Sequence, residues 1–183
     1  MSPPANSSVE DAEWMRRLAV GELAALEPLY ERYRPMVLAL VRQADLSLAP
    51  SAAEDVCQEV FLALVDAARR FRPDGNVRAY IAGVAVRKAR EHRRATWFRR
   101  NVMDRLPGLS SPASRLEERT DAVREGERLL ALLPAHLREV LVMHTVEGLE
   151  AADIAQALGI SVNTVWTRLH RARAALAEAR ESS

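Results

Sequence analysis

Cysteine, aromatic residues and long apolar runs are all scarce in this sequence, and each scarcity removes a class of protein. Cys57 is the one cysteine among 183 residues, so no disulfide framework can form within the chain. That suits a reducing compartment. Aromatics make up 5% of the chain, and the 49% apolar content is mostly Ala, Leu and Val. Such residues favour helices packed closely together. No apolar run approaches the roughly 18 residues a bilayer span needs. The opening "MSPPANSSVEDAEW" is polar and acidic, unlike a secretory signal. A cytoplasmic location without membrane insertion is expected. Chemistry is missing too: there is no Gly-rich phosphate loop, and the histidines at 92, 136, 144 and 170 lack ligand spacing. An enzyme is therefore not expected, nor a metal, a cofactor or any catalytic residue. No strand alternation of useful length occurs, so the fold class expected is all-α.

What is present is a pattern of helices with a local charge imbalance. Residues 1–10 read as disordered, because Pro, Ser and Asn follow no period. Helical spacing starts at Asp11 and continues through Leu18, Leu26, Leu29, Tyr30, Tyr33 and Val37. After the break "ADLSLAPSAAED", Ser51 is placed to cap a helix over about Ala52–Arg70 that buries Val56, Val60, Phe61 and Leu64. Its other face carries Asp55, Gln58, Glu59 and Leu62. DNA would repel that acidic face, whereas a basic or mixed protein surface would not. "FRPDGN" ends the helix, and the next spans about Val77 to Arg94, packing through Ile81, Val84, Ala85 and Ala89.

Net charge is only +1, but Asp66–Arg100 holds eleven Lys and Arg against Asp66, Asp74 and Glu91. Arg87, Arg90 and Arg94 fall at i, i+3 and i+7, with Gly83 one turn earlier on the same line. Arg78, Lys88 and Arg93 widen the charge, and Tyr80 sits beside it. A basic face with a neighbouring aromatic suits single-stranded nucleic acid: guanidinium groups meet phosphates and an unstacked base finds a ring. A merely solvated basic face is the competing reading for this helix alone.

Between Arg100 and Glu117 prolines, serines and a glycine mark a linker. Beyond it "AADIAQALGISVNTVWTRLHRARAAL" has the layout of a helix-turn-helix. Ile154, Ala155 and Leu158 face inward. Gly159 supplies the positive φ that ends the first helix, Ile160 plugs the turn and Ser161 caps the second helix. Val162, Val165, Leu169, Ala172 and Leu176 form the buried stripe. Asn163, Trp166, Thr167, His170 and Arg171 share the opposite face, with Arg168 and Arg173 at its flanks, as a recognition helix needs polar and basic groups in its N-terminal half.

These motifs together resemble the sigma-70 family, in its small extracytoplasmic-function (ECF) branch, over about Glu13 to Arg180. "AEDVCQEVFLAL" looks like the family's polymerase-binding stretch, "NVRAYIAGVAVRKAREHRR" like the helix that melts and reads the −10 element, and the final helices like the domain that reads the −35 element. The resemblance implies two small helical domains joined by a flexible linker: a disordered 1–10, a first domain over 11–100, a linker over 101–117 and a second domain over 118–183. It implies that Asp55, Gln58, Glu59 and Leu62 bind the β′ clamp helices of core RNA polymerase, and that the second domain meets the β flap. Arg78, Tyr80, Arg87, Lys88, Arg90 and Arg94 would contact −10 DNA, with an unpaired base held near Phe71–Asn76. Asn163, Thr164, Trp166, Thr167, His170 and Arg171 would contact −35 DNA. An anti-sigma factor is the expected inhibitor.

Several residues depart from the family's usual pattern. Tyr80 replaces Trp, Arg87 replaces Asn, Asn163 replaces Gly, Trp166 replaces Lys or Arg, and Ala151 replaces an aromatic. All five are expected on the surface or at tolerant helix positions. They imply an unusual promoter preference, because Trp166 cannot form the bidentate guanine contact open to arginine. The competing function is a stand-alone helix-turn-helix regulator, which would have no need of the Asp55–Leu62 face.

Overall fold

A computed structural model describes residues 5–103, 126 and 128–181. Among these residues all regular structure is helical. Helix α1 spans Ala5–Ala19. A 3-10 turn at Leu23–Ala25 leads into α2, Leu26–Ala44. Helix α3, Pro50–Ala67, ends in a second 3-10 turn at Ala68–Arg70. Then follow α4, Val77–Met103; α5, Ala135–Thr145; α6, Ala151–Leu158; and α7, Val162–Glu181.

Helices α2, α3 and α4 pack on one another, with α1 laid across them. The buried stripe of α2 is Leu29, Tyr33, Met36, Val37, Leu40, Val41 and Ala44, which follows the three-four spacing of one helix face. Val56, Val60, Phe61 and Leu64 of α3 are buried as the spacing predicts, and so are Ile81, Val84, Ala85 and Ala89 of α4. Cys57 is fully buried. Burial pushes its thiol up to about 11, so it is a protonated packing group at neutral pH.

Four expectations about the helix ends need correction. Residues 5–10 are helical rather than disordered. A tertiary anchor accounts for this: Asp11, buried, accepts hydrogen bonds from the Tyr33 hydroxyl and, at 2.5 Å, from the Arg32 guanidinium. Periodicity in α1 alone carries no trace of that anchor. Second, Ser51 does not cap α3. Ala49 holds that position with Pro50 just inside the helix, where its missing N–H costs nothing. Third, α4 runs nine residues beyond Arg94, to Met103, so 101–103 of the expected linker are helical. The rest of that linker, and residues 1–4, lie outside the described residues. Fourth, Val162 is 42% exposed rather than buried, because it occupies the first turn of α7, ahead of the stripe that packs.

Helices α5, α6 and α7 form a second group, which packs onto the first through α2–α5 and α4–α6 contacts. The buried residues of both groups form one continuous core. Two helices show the consequence. Ile81 to Val86 of α4 are buried without interruption, as are Leu137 to Met143 of α5. A helix buried all round is enclosed by neighbours on every side.

Candidate functional site

Three surfaces carry the residues singled out in the sequence. The first is α3, where Asp55, Gln58, Glu59 and Leu62 are all exposed on one face and Leu62 is 67% exposed. The opposite face, through Val56, Val60 and Leu64, is what fixes this orientation. Leu62 thus stands in water beside two carboxylates and an amide on one helix face.

The second is the helix-turn-helix formed by α6 and α7. Gly159 has φ +65°, and its N–H bonds back to the Ala155 carbonyl. The Ser161 hydroxyl accepts from the Thr164 N–H at 3.1 Å, capping α7. Val165, Leu169 and Ala172 are buried, Leu176 is half-buried and Ile160 packs against the core. Asn163, Trp166, Thr167, His170 and Arg171 are exposed together on the other face. Two of these polar groups are already engaged locally. The Thr167 hydroxyl donates to the Asn163 carbonyl, and the half-buried Thr164 hydroxyl meets that of Ser161 at 2.8 Å. Trp166 is 49% exposed, and its ring stands edge-on to His144 of α5 at 5.8 Å. Trp166, which stands where the family usually has Lys or Arg, is therefore partly built into the fold. The sequence gives no sign of His144 as its support. Ala151 is buried rather than superficial, so a larger side chain there has no free surface to occupy.

The third is the basic side of α4. Phe71 and Tyr80 meet edge to face at 5.2 Å beside a cavity of about 220 Å3, at the place expected for an unpaired base. The Tyr80 hydroxyl donates to the Ala67 carbonyl at 2.6 Å, which fixes the ring. Asn76 caps α4 through its Oδ1, which accepts from the Ala79 N–H at 3.1 Å. Arg94 is exposed, and Lys88 pairs with Glu91 at 3.0 Å on its own helix.

The other arginines of this side are exposed or half-buried, and each is engaged within the chain. Arg78 pairs with Glu147 at 2.5 Å. Arg87 donates to the Ala157 carbonyl at 3.1 Å. Arg90 forms a fork with Glu139, Nε to both carboxylate oxygens at 3.1 Å, and that pairing holds its guanidinium above the usual arginine range. Asp153, Gln156 and Ala157 of α6 close one wall of the cavity. Nearby Arg138 donates to the Gln43 carbonyl at 2.5 Å, and burial lowers its proton affinity. Sequence reasoning identified the arginines but missed Glu139, Glu147 and Asp153, which are distant in sequence and carry no local signature.

Comparison with known proteins settles the family. Residues 29–99 match the model for sigma-70 region 2, and residues 126–176 match that for sigma-70 region 4. The ECF sigma factor SigD of Mycobacterium tuberculosis is 34% identical over 159 residues, 83% of this chain and 75% of that protein. The chain belongs to the ECF group of sigma-70 factors. The RNA polymerase sigma-H factor of Pseudomonas aeruginosa is 27% identical over 93% of both chains. Among solved structures, CnrH in complex with the cytosolic domain of CnrY shares 25% identity and a TM-score of 0.68, over 95% of this chain and 99% of that one. The sigma factor RpoE of Bartonella quintana, solved with the anti-sigma factor NepR, has the same fold at 19% identity and a TM-score of 0.68, over 83% of this chain and 94% of that one. As a sigma factor, the chain is a transcription initiation factor that joins core RNA polymerase and directs it to promoters. Among the described residues no helix is long and apolar enough to cross a membrane.

Proposed function

We propose that the sigma factor divides its work among these three surfaces, in the cytoplasm and without catalysis of its own. Asp55, Gln58, Glu59 and Leu62 of α3 dock on the β′ clamp helices of the polymerase. Arg78, Tyr80, Arg87, Lys88, Arg90 and Arg94 engage the −10 strand, and an unpaired base enters the cavity beside Phe71. Flipping that base costs a few kcal/mol, which stacking on an aromatic ring offsets. Asn163, Thr164, Trp166, Thr167, His170 and Arg171 meet the −35 groove, while the helices around them meet the β flap. Two helical domains, near 11–100 and 118–183, carry these surfaces on either side of a linker.

The observation that carries this reading is the α3 face: three polar groups and one exposed leucine, which a DNA-binding regulator acting alone would not need. An inhibitory anti-sigma factor fits as well, since RpoE of Bartonella quintana was solved with one bound. Co-purification with core RNA polymerase tests the assignment. The wild-type chain should be retained by core, and Glu59→Lys should weaken retention at least tenfold while leaving helix content unchanged. Equal retention of the two proteins would remove α3 from the interface. Run-off transcription from a promoter library then reads both DNA elements at once.

A further inference from the structure

We infer that Trp166, braced by His144, is a thymine-reading residue: its ring packs on a thymine 5-methyl group in the −35 major groove. The inference rests on the proposed placement of α7 in that groove and says what the helix selects there. Two rows of side chains run along the open face of α7 at four-residue spacing. Asn163, Thr167 and Arg171 form one row, Val162, Trp166 and His170 the other, and all six are exposed. The Thr167 hydroxyl is spent on the Asn163 carbonyl. The second row opens with two apolar groups, Val162 and then Trp166 one turn on. Bases of an intact duplex are stacked, so no base face is open to the indole. What the major groove offers an apolar group is the thymine methyl, which the other bases lack. The O4 acceptor beside that methyl also suits an indole N–H, which can only donate.

His144 turns an exposed ring into a fixed one. Its Nδ1 lies 2.9 Å from the Leu149 carbonyl, which can only accept, so Nδ1 carries a proton and the imidazole is tied to the turn after α5. Leu149 is itself buried. The imidazole then meets the Trp166 ring at 5.8 Å with an interplanar angle of 79°, the edge-to-face contact that ring quadrupoles favour. Fully buried Val165 and Leu169 set the rotation of α7 about its own axis, which keeps Trp166 on the open side. A ring already held in place loses little freedom on binding, so ordering does not offset the gain from burying a methyl. His144 is a positioning residue: it acts on DNA only through Trp166.

The test removes methyl groups one at a time. Holoenzyme assembled with core RNA polymerase is titrated by fluorescence anisotropy onto a labelled promoter duplex, chosen from those it selects in run-off transcription. Each thymine of the −35 element, on either strand, is replaced in turn by deoxyuridine, which deletes the methyl and keeps O4 and the base pairing. At one position or more the wild type should bind roughly fourfold more weakly, the worth of one buried methyl. Trp166→Ala should bind thymine and uracil equally at that position, and His144→Ala should give an intermediate ratio. The ratio compares two duplexes with one protein, so lost stability alone does not move it. Wild-type binding indifferent to every deoxyuridine, as expected if Trp166 packs on the backbone, would overturn the thymine reading. So would a thymine preference that survives Trp166→Ala, or selected −35 elements without thymine. A His144→Ala ratio equal to wild type would overturn the bracing. Failure of the −35 placement looks different: a scrambled −35 element would then bind as tightly as the parent.

Discussion

The two DNA-reading helices, α4 and α7, have the same resources and opposite situations. Both are long and basic, both are capped by a polar side chain, and both bury an apolar stripe. Helix α7 leaves Asn163, Trp166, Thr167, His170 and Arg171 in solvent. Helix α4 has its cavity walled by α6 and three of its arginines bound to α5, α6 and the turn between them. The difference lies in the residues between the charges. Gly83, with buried Ala82 and Ala85 beside it, lets α6 approach so closely that a Cβ there would lie 2.6 Å from the Ala157 carbonyl oxygen. The corresponding side of α7 offers Trp166 and long polar chains. A basic helix face is thus no guide to accessibility; the size of its smallest residues decides what can cover it.

The largest effect should come from breaking the support of α7. Leu169 is fully buried between α7 and its neighbours. Leu169→Ala removes three heavy atoms from the core and should cost ~2–5 kcal/mol of stability. Denaturant melts should show the loss, and run-off transcription from a −35-dependent promoter should fall with it. A stability unchanged within error would mean that the α7 stripe is not packed as described.

Next in size is the reading residue itself. Arg171→Ala removes an exposed guanidinium and should weaken promoter binding by ~1–3 kcal/mol if that group reads a base. Because α7 is open, the loss should be equal in wild-type and Gly83→Ala backgrounds. A loss that depends on the background would make α7 part of the contact that Gly83→Ala disturbs, and the comparison between the helices would fail. Titration by fluorescence anisotropy of the holoenzyme on labelled promoter DNA gives the value directly.

The open helix was the legible one. Gly159 and Ser161 are local signals, each acting within four residues, and the structure places both as the spacing predicts. The α3 face was legible for the same reason: burial of Val56, Val60 and Leu64 dictates what lies opposite. The covering of α4 was not legible. Its partners, Glu139, Glu147 and Asp153, stand 49 to 77 residues away in sequence. Seven consecutive buried residues in α5, including Arg138 and Glu139, violate the amphipathic pattern that sequence reading relies on. The start of α1 failed likewise, since the Asp11–Tyr33 contact is tertiary.

The two caps offer the finest comparison and the smallest effect. Ser161 accepts from the Thr164 N–H and shares a hydrogen bond with its hydroxyl, so its duty is confined to the first turn of α7. Asn76 makes the equivalent bond to Ala79 and also donates through Nδ2 to Asp153 at 2.6 Å. Ser161→Ala should cost ~1 kcal/mol, a fall of about 2–4 °C in melting temperature for a chain of this size. Asn76→Ala removes a cap of the same kind and one more hydrogen bond, so it should cost more in the wild-type chain. In the Gly83→Ala background, where the added Cβ forces α6 away from α4, the excess should vanish and the two caps should cost the same. If Asn76→Ala costs no more than Ser161→Ala in the wild type, the Asn76–Asp153 bond contributes nothing and the polar contacts that hold α4 rest on the arginines alone.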